Sequence, residues 1–279
     1  MPEASVANWP GGAQCAVVFS FDMDADSIAL AYDREGHKRP GMRSVGKYGP
    51  RVAVFEIIDL FKEYNLPATF FVPGWVIDHY AEVVEAVCKA GFEISCHSYH
   101  HTRLYLMSPD EEDDAIARSI EAIQRVTGRR PPGFRAPSWE FSERTLSLLY
   151  KYGFDYSSNM MDSIFPYFHP ALAGQAGIVE LPVQWILDDA LFFMTLPGVR
   201  FGPVPSARAV SSIWREEFSA IYKRGGLFML TMHPHLVRPS RLEMLRRFIQ
   251  YVSKHPKVWF ARAESVAQHC RASTEGSGL

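Results

Sequence analysis

The chain alternates short runs of apolar residues with longer stretches in which apolar positions recur every three or four residues. Residues 15–21, Cys-Ala-Val-Val-Phe-Ser-Phe, are continuously apolar enough to predict a strand buried on both faces. Residues 52–64 place Val54, Ile57, Ile58 and Phe61 on one helical face, and 68–72 read as the next strand. A helix over 80–90 turns Val83, Val84, Val87 and Cys88 inward and stops at Gly91, and 92–96 read as a third strand. Ser108, Pro109 and Glu111 have the spacing of an N-cap, a first-turn proline and a capping-box acid. The helix they open carries Ile116, Ile120 and Ile123 to a stop at Gly128. A short strand near 133–136 follows, and Ser142 is expected to cap a helix holding Leu146, Leu149 and Tyr152 that ends at Gly153. Further strands are expected near 154–158, 178–184, 227–232 and 257–260, with helices near 207–223 and 240–253.

Eight strands separated by helices predict an α/β fold built on a parallel sheet. A doubly wound sheet and a barrel fit this rhythm equally, and both put chemistry at the carboxyl ends of the strands. No repeat or low-complexity tract divides the chain. The expected organisation is an N-terminal arm over 1–14, one domain over 15–268 and a disordered tail over 269–279.

The expected strand ends carry reactive side chains. The first runs into Asp22, Asp24 and Asp26, and residues two apart on a strand share a face. Carboxylates crowded at a buried strand end repel one another, and a cation or a catalytic task is the natural compensation. The third runs into His97, His100 and His101. His97 and His101 are four apart, the spacing that turns two imidazoles toward one cation, while His100 points elsewhere. Two histidines and an acid make a first-row metal site with open positions. The fourth ends at Arg135, which can clamp a carboxylate. Further on stand Trp185, Asp188 and Asp189, and the run Leu-Phe-Met-Leu-Thr-Met delivers His233 to a place suited to acid/base work.

Composition narrows the field. Hydrophobic residues are 47% and charged residues 22% of 279 positions, an ordinary globular balance. Lys and Arg total 29 against 31 Asp and Glu, so the formal net charge is -2, which argues against a nucleic-acid binder that works by overall charge and leaves a local basic patch open. No apolar run has the length of a membrane span, and the first twelve residues lack the pattern of a secretory signal. Cys15, Cys88, Cys96 and Cys270 are scattered and read as free thiols. These features predict a cytoplasmic protein with neither a nucleic-acid nor a membrane partner.

The order of these motifs resembles the polysaccharide deacetylase family, the NodB-homology domain of carbohydrate esterase family 4. The resemblance covers about residues 15–265. Asp22 and Asp24 match the family's base and metal-binding aspartates, here separated by Met23. His97, Ser98 and His101 match His-Ser/Thr-x-x-His, Arg135 and Pro137 match Arg-x-Pro, and Leu230 and His233 match Leu-x-x-His. The Asp-x-Asp spacing and the long polar insert after it are similar to a branch holding allantoinase-type enzymes, cyclic imidases and a peptidoglycan deacetylase.

The resemblance implies a single distorted (β/α)7 barrel and a homo-oligomer, a dimer or tetramer. It implies hydrolysis of a non-peptide amide bond in an N-acetylated sugar or a small cyclic amide. One divalent ion, zinc with cobalt, manganese or nickel as alternatives, would be held by Asp24, His97 and His101. Asp22 would be the base, kept ionised by Arg135, and His233 the acid, oriented by Asp188 or Asp189. Trp139, Trp185, Asp188 and Asp189 are candidate substrate-binding residues, the two indoles as pocket walls, and the insert over 25–50 and the segment 188–205 are candidate lids. Asp26 is a further candidate ligand. The alternative is a catalytically silent barrel that binds a metal or ligand without turnover.

Overall fold

The computed structural model describes residues 8–32, 35–172, 174–196, 199–200 and 203–275. Its strands are β1 (Cys15–Asp22), β2 (Thr69–Val72), β3 (Glu93–Cys96), β4 (Gly133–Phe134), β5 (Tyr156–Ser157), β6 (Tyr167–Phe168), β7 (Val179–Glu180), β8 (Thr195–Leu196), β9 (Val199–Arg200), β10 (Leu227–Met232) and β11 (Val258–Phe260). Its helices are α1 (Ser27–Tyr32), α2 (Pro40–Tyr48), α3 (Val54–Glu63), α4 (Gly74–His79), α5 (Ala81–Lys89), α6 (Pro109–Thr127), α7 (Thr145–Lys151), α8 (Asp189–Phe193), α9 (Ala207–Arg224), α10 (Pro239–Val252) and α11 (Ala263–Glu275).

The main sheet runs β10-β1-β2-β3-β4-β5-β7-β6, and every pairing in it is parallel except β6 with β7. Strand β11 pairs in parallel with the amino-terminal half of β1. Past β7 the chain makes one isolated parallel bridge, Asp188 to Thr231 of β10. That single bridge is where the sheet curls back on itself, so the architecture is a distorted barrel of the NodB type.

Alternation along the strands sorts the core into two layers. Cys15, Val17, Phe19 and Phe21 of β1 face the helices with Phe70, Ile94, Phe134, Phe228 and Leu230. Ala16 and Val18 face inward with Phe71, Tyr156, Val179, Leu227 and Met229. Each large apolar side chain buried here stabilises the fold by about 1.5–3 kcal/mol. Tyr156 lies across the interior against Gly133, where any Cβ would overlap its ring, and its hydroxyl donates to the buried Glu93.

Helix α6 forms as its sequence dictates. The Ser108 hydroxyl accepts from Glu111 N, Glu111 accepts from Ser108 N, and Gly128 closes the helix with φ 73. Two local expectations are corrected. Helix α7 starts at Thr145 with Arg144 at its N-cap, and Ser142 lies just before it, its hydroxyl accepting from Arg144 N at 3.0 Å and donating to the buried Glu112 at 2.6 Å. Residues 269–275 are not a disordered tail but the last turns of α11, whose Val266 and Ala267 are buried against the inner layer. The insert after β1 holds α1, α2 and a π-helical turn over Gly49–Ala53. Parts of the expected arm and tail, 1–7 and 276–279, lie outside the described residues, as do 33–34 of the insert and 197–198 and 201–202 of the second candidate lid.

Candidate active site and metal centre

The carboxyl ends of β1, β3, β4 and β10 converge, and each delivers a side chain that the sequence singled out. Asp24, His97 and His101 bring one ligand atom each to within 4.8 Å of one another, and all three residues are buried. His97 Nε2 stands 3.4 Å from Asp24 Oδ1, and His101 Nε2 stands 3.7 Å from Asp24 Oδ2. His97 is aimed by its other nitrogen: Nδ1–H donates to the Arg135 carbonyl at 2.8 Å, so the Nε2 lone pair faces Asp24.

Neither oxygen of Asp24 nor Nε2 of His97 has a hydrogen-bond partner among the described residues. Buried polar atoms left this way are costly unless something else satisfies them. A carboxylate and two imidazoles are good donors for a divalent first-row ion, so the residues present fit such a cation. Burial opposes charge on Asp24, but His101, His97 and His233 outweigh it and hold the carboxyl below the usual carboxylate range. Burial pushes the His101 imidazole down, toward the neutral form that ligation requires.

Two charge pairs flank the cluster. Arg135 is wholly buried and places Nη1 2.7 Å from Asp22 Oδ1. Its guanidinium is fixed by Ser20 Oγ and Ser158 Oγ, both at 2.9 Å, and lies 4.0 Å over the Phe71 ring. On the other side His233 Nδ1 lies 2.6 Å from Asp189 Oδ1, and the two Asp189 oxygens also accept from His233 N. His233 Nε2 is left facing Asp24 Oδ2 at 3.7 Å. Burial opposes protonation of His233, but Asp188 and Asp189 prevail and raise it well above an ordinary histidine.

Asp188 is a different residue in space. Its side chain accepts from Ala190 N at 2.7 Å, capping α8, and stays 3.6 Å from His233 Nδ1. Burial, opposed by the His233 charge, pushes its carboxyl up to about 7.

A cavity of about 350 Å³ opens above these groups. Asp22, His101, Asp188 and His233 form its floor, and Trp139 and Trp185 form a wall. The two indoles are tilted by 30° with centroids 4.5 Å apart, Trp139 buried and Trp185 43% exposed. Asp189, grouped in the sequence reading with the substrate-binding residues, does not line the cavity, because it lies fully buried behind His233. Ile28 of α1 and Met194 after α8 close the space, so both candidate lids contribute walls.

Asp26 does not join the ligand cluster. Its Oδ1 accepts from Tyr80 and its Oδ2 from Arg43, which consumes the carboxylate. His100 is exposed and packs edge-on against Tyr99. Sequence reasoning missed Ile28, Arg103, Tyr105, Ser138, Glu140 and Met194 as cavity walls. Arg103 and Tyr105 follow His101 closely enough to have been suspected, whereas nothing in the pattern marks Ile28 or Met194. Backbone strain does mark the site: Ala25, Ser98, Ser138 and Trp139 have φ between 51° and 59°.

The similarities agree with this geometry. Residues 25–157 match the polysaccharide deacetylase family. The peptidoglycan deacetylase of Helicobacter pylori is 30% identical over 90% of this chain and 95% of its own. A solved structure from Mycobacterium smegmatis, described as a polysaccharide deacetylase, is 39% identical, with TM-score 0.91 over 95% of this chain and 93% of its own. An allantoinase structure shares the fold at 24% identity, with TM-score 0.84 over 96% of this chain and 93% of its own. With its ordered motifs, its parallel barrel and a full-length relative, the chain belongs to the polysaccharide deacetylase family, hydrolases acting on carbon–nitrogen bonds other than peptide bonds.

Proposed function

We propose that this chain hydrolyses the amide of an N-acetylated amino sugar with the help of one divalent cation held by Asp24, His97 and His101. The observation that carries the reading is the set of unsatisfied buried donors, Asp24 Oδ1 and Oδ2 and His97 Nε2, between an Asp–Arg pair and a His–Asp pair. When bound there, zinc, or cobalt, manganese or nickel, supplies Lewis acidity that polarises the carbonyl and acidifies water.

The chain's own residues do the rest. Asp22 takes a proton from the attacking water, and the buried Arg135, 2.7 Å away, holds its carboxylate in place. The water oxygen bonds to the carbonyl carbon, the C–N bond breaks, and His233 Nε2 gives a proton to the departing nitrogen. Asp189 holds Nδ1–H of His233, which fixes the ring's tautomer and its aim. Trp139 and Trp185 supply aromatic surface for a ring substrate.

The activity named for the Helicobacter pylori relative supports a sugar amide. The cavity favours a second reading, a small cyclic amide. Its volume is at the low end of the roughly 300–1,000 Å³ typical of ligand pockets, room for one ring. Mass spectrometry of metal-loaded protein with N-acetylglucosamine oligomers and cyclic imides together separates the two. Loss of acetyl groups from the oligomers supports the first reading, and gain of one water by the rings supports the second. No turnover with metal bound supports the silent barrel.

The four free thiols, two of them buried, fit a reducing cytoplasm, and no helix among the described residues is long and apolar enough to cross a membrane. A dimer or tetramer completes the reading, and light scattering measures it.

A further inference from the structure

The third acid of Asp-x-Asp-x-Asp is consumed by the insert rather than by the metal cluster. Asp26 is fully buried. Arg43 of α2 places Nε 2.8 Å and Nη2 2.6 Å from Asp26 Oδ2, and the Tyr80 hydroxyl donates to Oδ1 at 2.6 Å. These partners come from separate segments, α2 and the junction between α4 and α5, 17 and 54 residues downstream. The same short loop is gripped twice more. Gly46 of α2 sits so close that a Cβ there would overlap the Ala25 carbonyl oxygen and the Asp26 Cα. Ser27 N and Ser27 Oγ both donate to the Asp24 carbonyl, at 3.1 and 2.6 Å. Between the two acids Ala25 takes φ 51, a left-handed conformation that L side chains rarely hold without support.

A ligating carboxylate must be held to within a fraction of an ångström of its productive place, and groups beyond the ligands do that work. Asp24 is two residues from Asp26, at the other end of the strained turn. We infer that Arg43 and Tyr80, acting through Asp26, are positioning residues for the Asp24 carboxylate, so that the insert sets the affinity of the cation site. The inference rests on the metal-binding reading given above. It makes the insert part of the metal centre without contributing a ligand.

The test reads metal binding, not turnover. Cobalt or zinc is titrated into metal-free wild type, Arg43→Gln, Tyr80→Phe, Gly46→Ala and the control Lys47→Gln, against a chromophoric chelator. Unfolding is followed on the same samples. Arg43→Gln and Tyr80→Phe are expected to stay folded at the titration temperature, as the unfolding curves check, and to bind about 10- to 100-fold more weakly, with a changed cobalt visible spectrum. Gly46→Ala attacks the same turn sterically and is expected to weaken binding in the same direction. Arg43→Lys keeps one charged donor and is expected to recover part of the loss, while Lys47→Gln binds as wild type. Wild-type affinity in both Arg43→Gln and Tyr80→Phe overturns the inference alone. Failure of the wild type to bind metal at all overturns the functional reading beneath it.

Discussion

His233 Nδ1 is 2.6 Å from Asp189 Oδ1 and 3.6 Å from Asp188 Oδ1, so adjacent acids hold unlike positions around one imidazole. Asp189 sits behind the ring and bonds its backbone N–H as well, whereas Asp188 faces the cavity and caps α8. Asp189→Asn is therefore expected to lower kcat by about 10²-fold or more, because the orienting charge is lost. Asp188→Asn is expected to cost less in kcat and more in KM. Steady-state kinetics on one substrate separates the two.

His101→Ala and Asp22→Asn are expected to fail for different reasons. The first removes a ligand and should lose both metal and activity. The second leaves the ligand cluster whole and should keep metal while kcat falls about 10²–10⁴-fold. Elemental analysis of the purified variants reads the difference directly, and a fully active Asp22→Asn removes Asp22 from the role of base.

Arg135 is a structural commitment as well as a chemical one. Arg135→Met leaves the Asp22 carboxylate buried without its counter-charge and strips partners from Ser20 and Ser158. Breaking a buried pair by removing one member costs about 3–5 kcal/mol. Chemical denaturation of the metal-free protein should show a loss of that size.

His235 gives the fold an acid-sensitive element. It is buried with no hydrogen-bond partner at either ring nitrogen among the described residues, and burial pushes its pKa from 6.5 down to about 3. The unfolded chain takes up a proton that the folded chain refuses. The stability from this group is complete above pH 6.5 and is lost as pH falls toward 3, at up to ~1.4 kcal/mol per pH unit. In metal-free protein His235→Leu is expected to flatten that part of the stability curve. Parallel curves for wild type and variant would contradict it.

Trp185 is 43% exposed and leans on Trp139. Trp185→Ala is expected to raise KM for a ring substrate up to about tenfold, equivalent to ~1.4 kcal/mol, with metal content unchanged. An unchanged KM would remove the indole from the substrate wall.

The strands and most helices are legible in the sequence because their signals are local. Buried strands are runs of apolar residues, and helix α6 announces itself with Ser108, Glu111 and Gly128. The site's main groups are legible for a related reason: a polar side chain directly after an apolar run stands at a strand end, and a parallel sheet puts such ends together. Asp24, His97, Arg135 and His233 could be named on that basis alone. The insert was less readable, since α1 and α2 are short and carry mixed residues whose faces depend on what they pack against.

Which side chains stand at the strand ends follows from local pattern, a two-residue period and a run of burial. How those side chains divide the work is set only in three dimensions. Asp22 finds Arg135 across 113 residues, and His233 finds Asp189 and not Asp188 across 44. Asp26 turns away to Arg43 and Tyr80, although it follows Asp24 by the same interval that separates Asp24 from Asp22. Those choices depend on distances of a few ångströms between segments remote in the chain, and no local pattern encodes them.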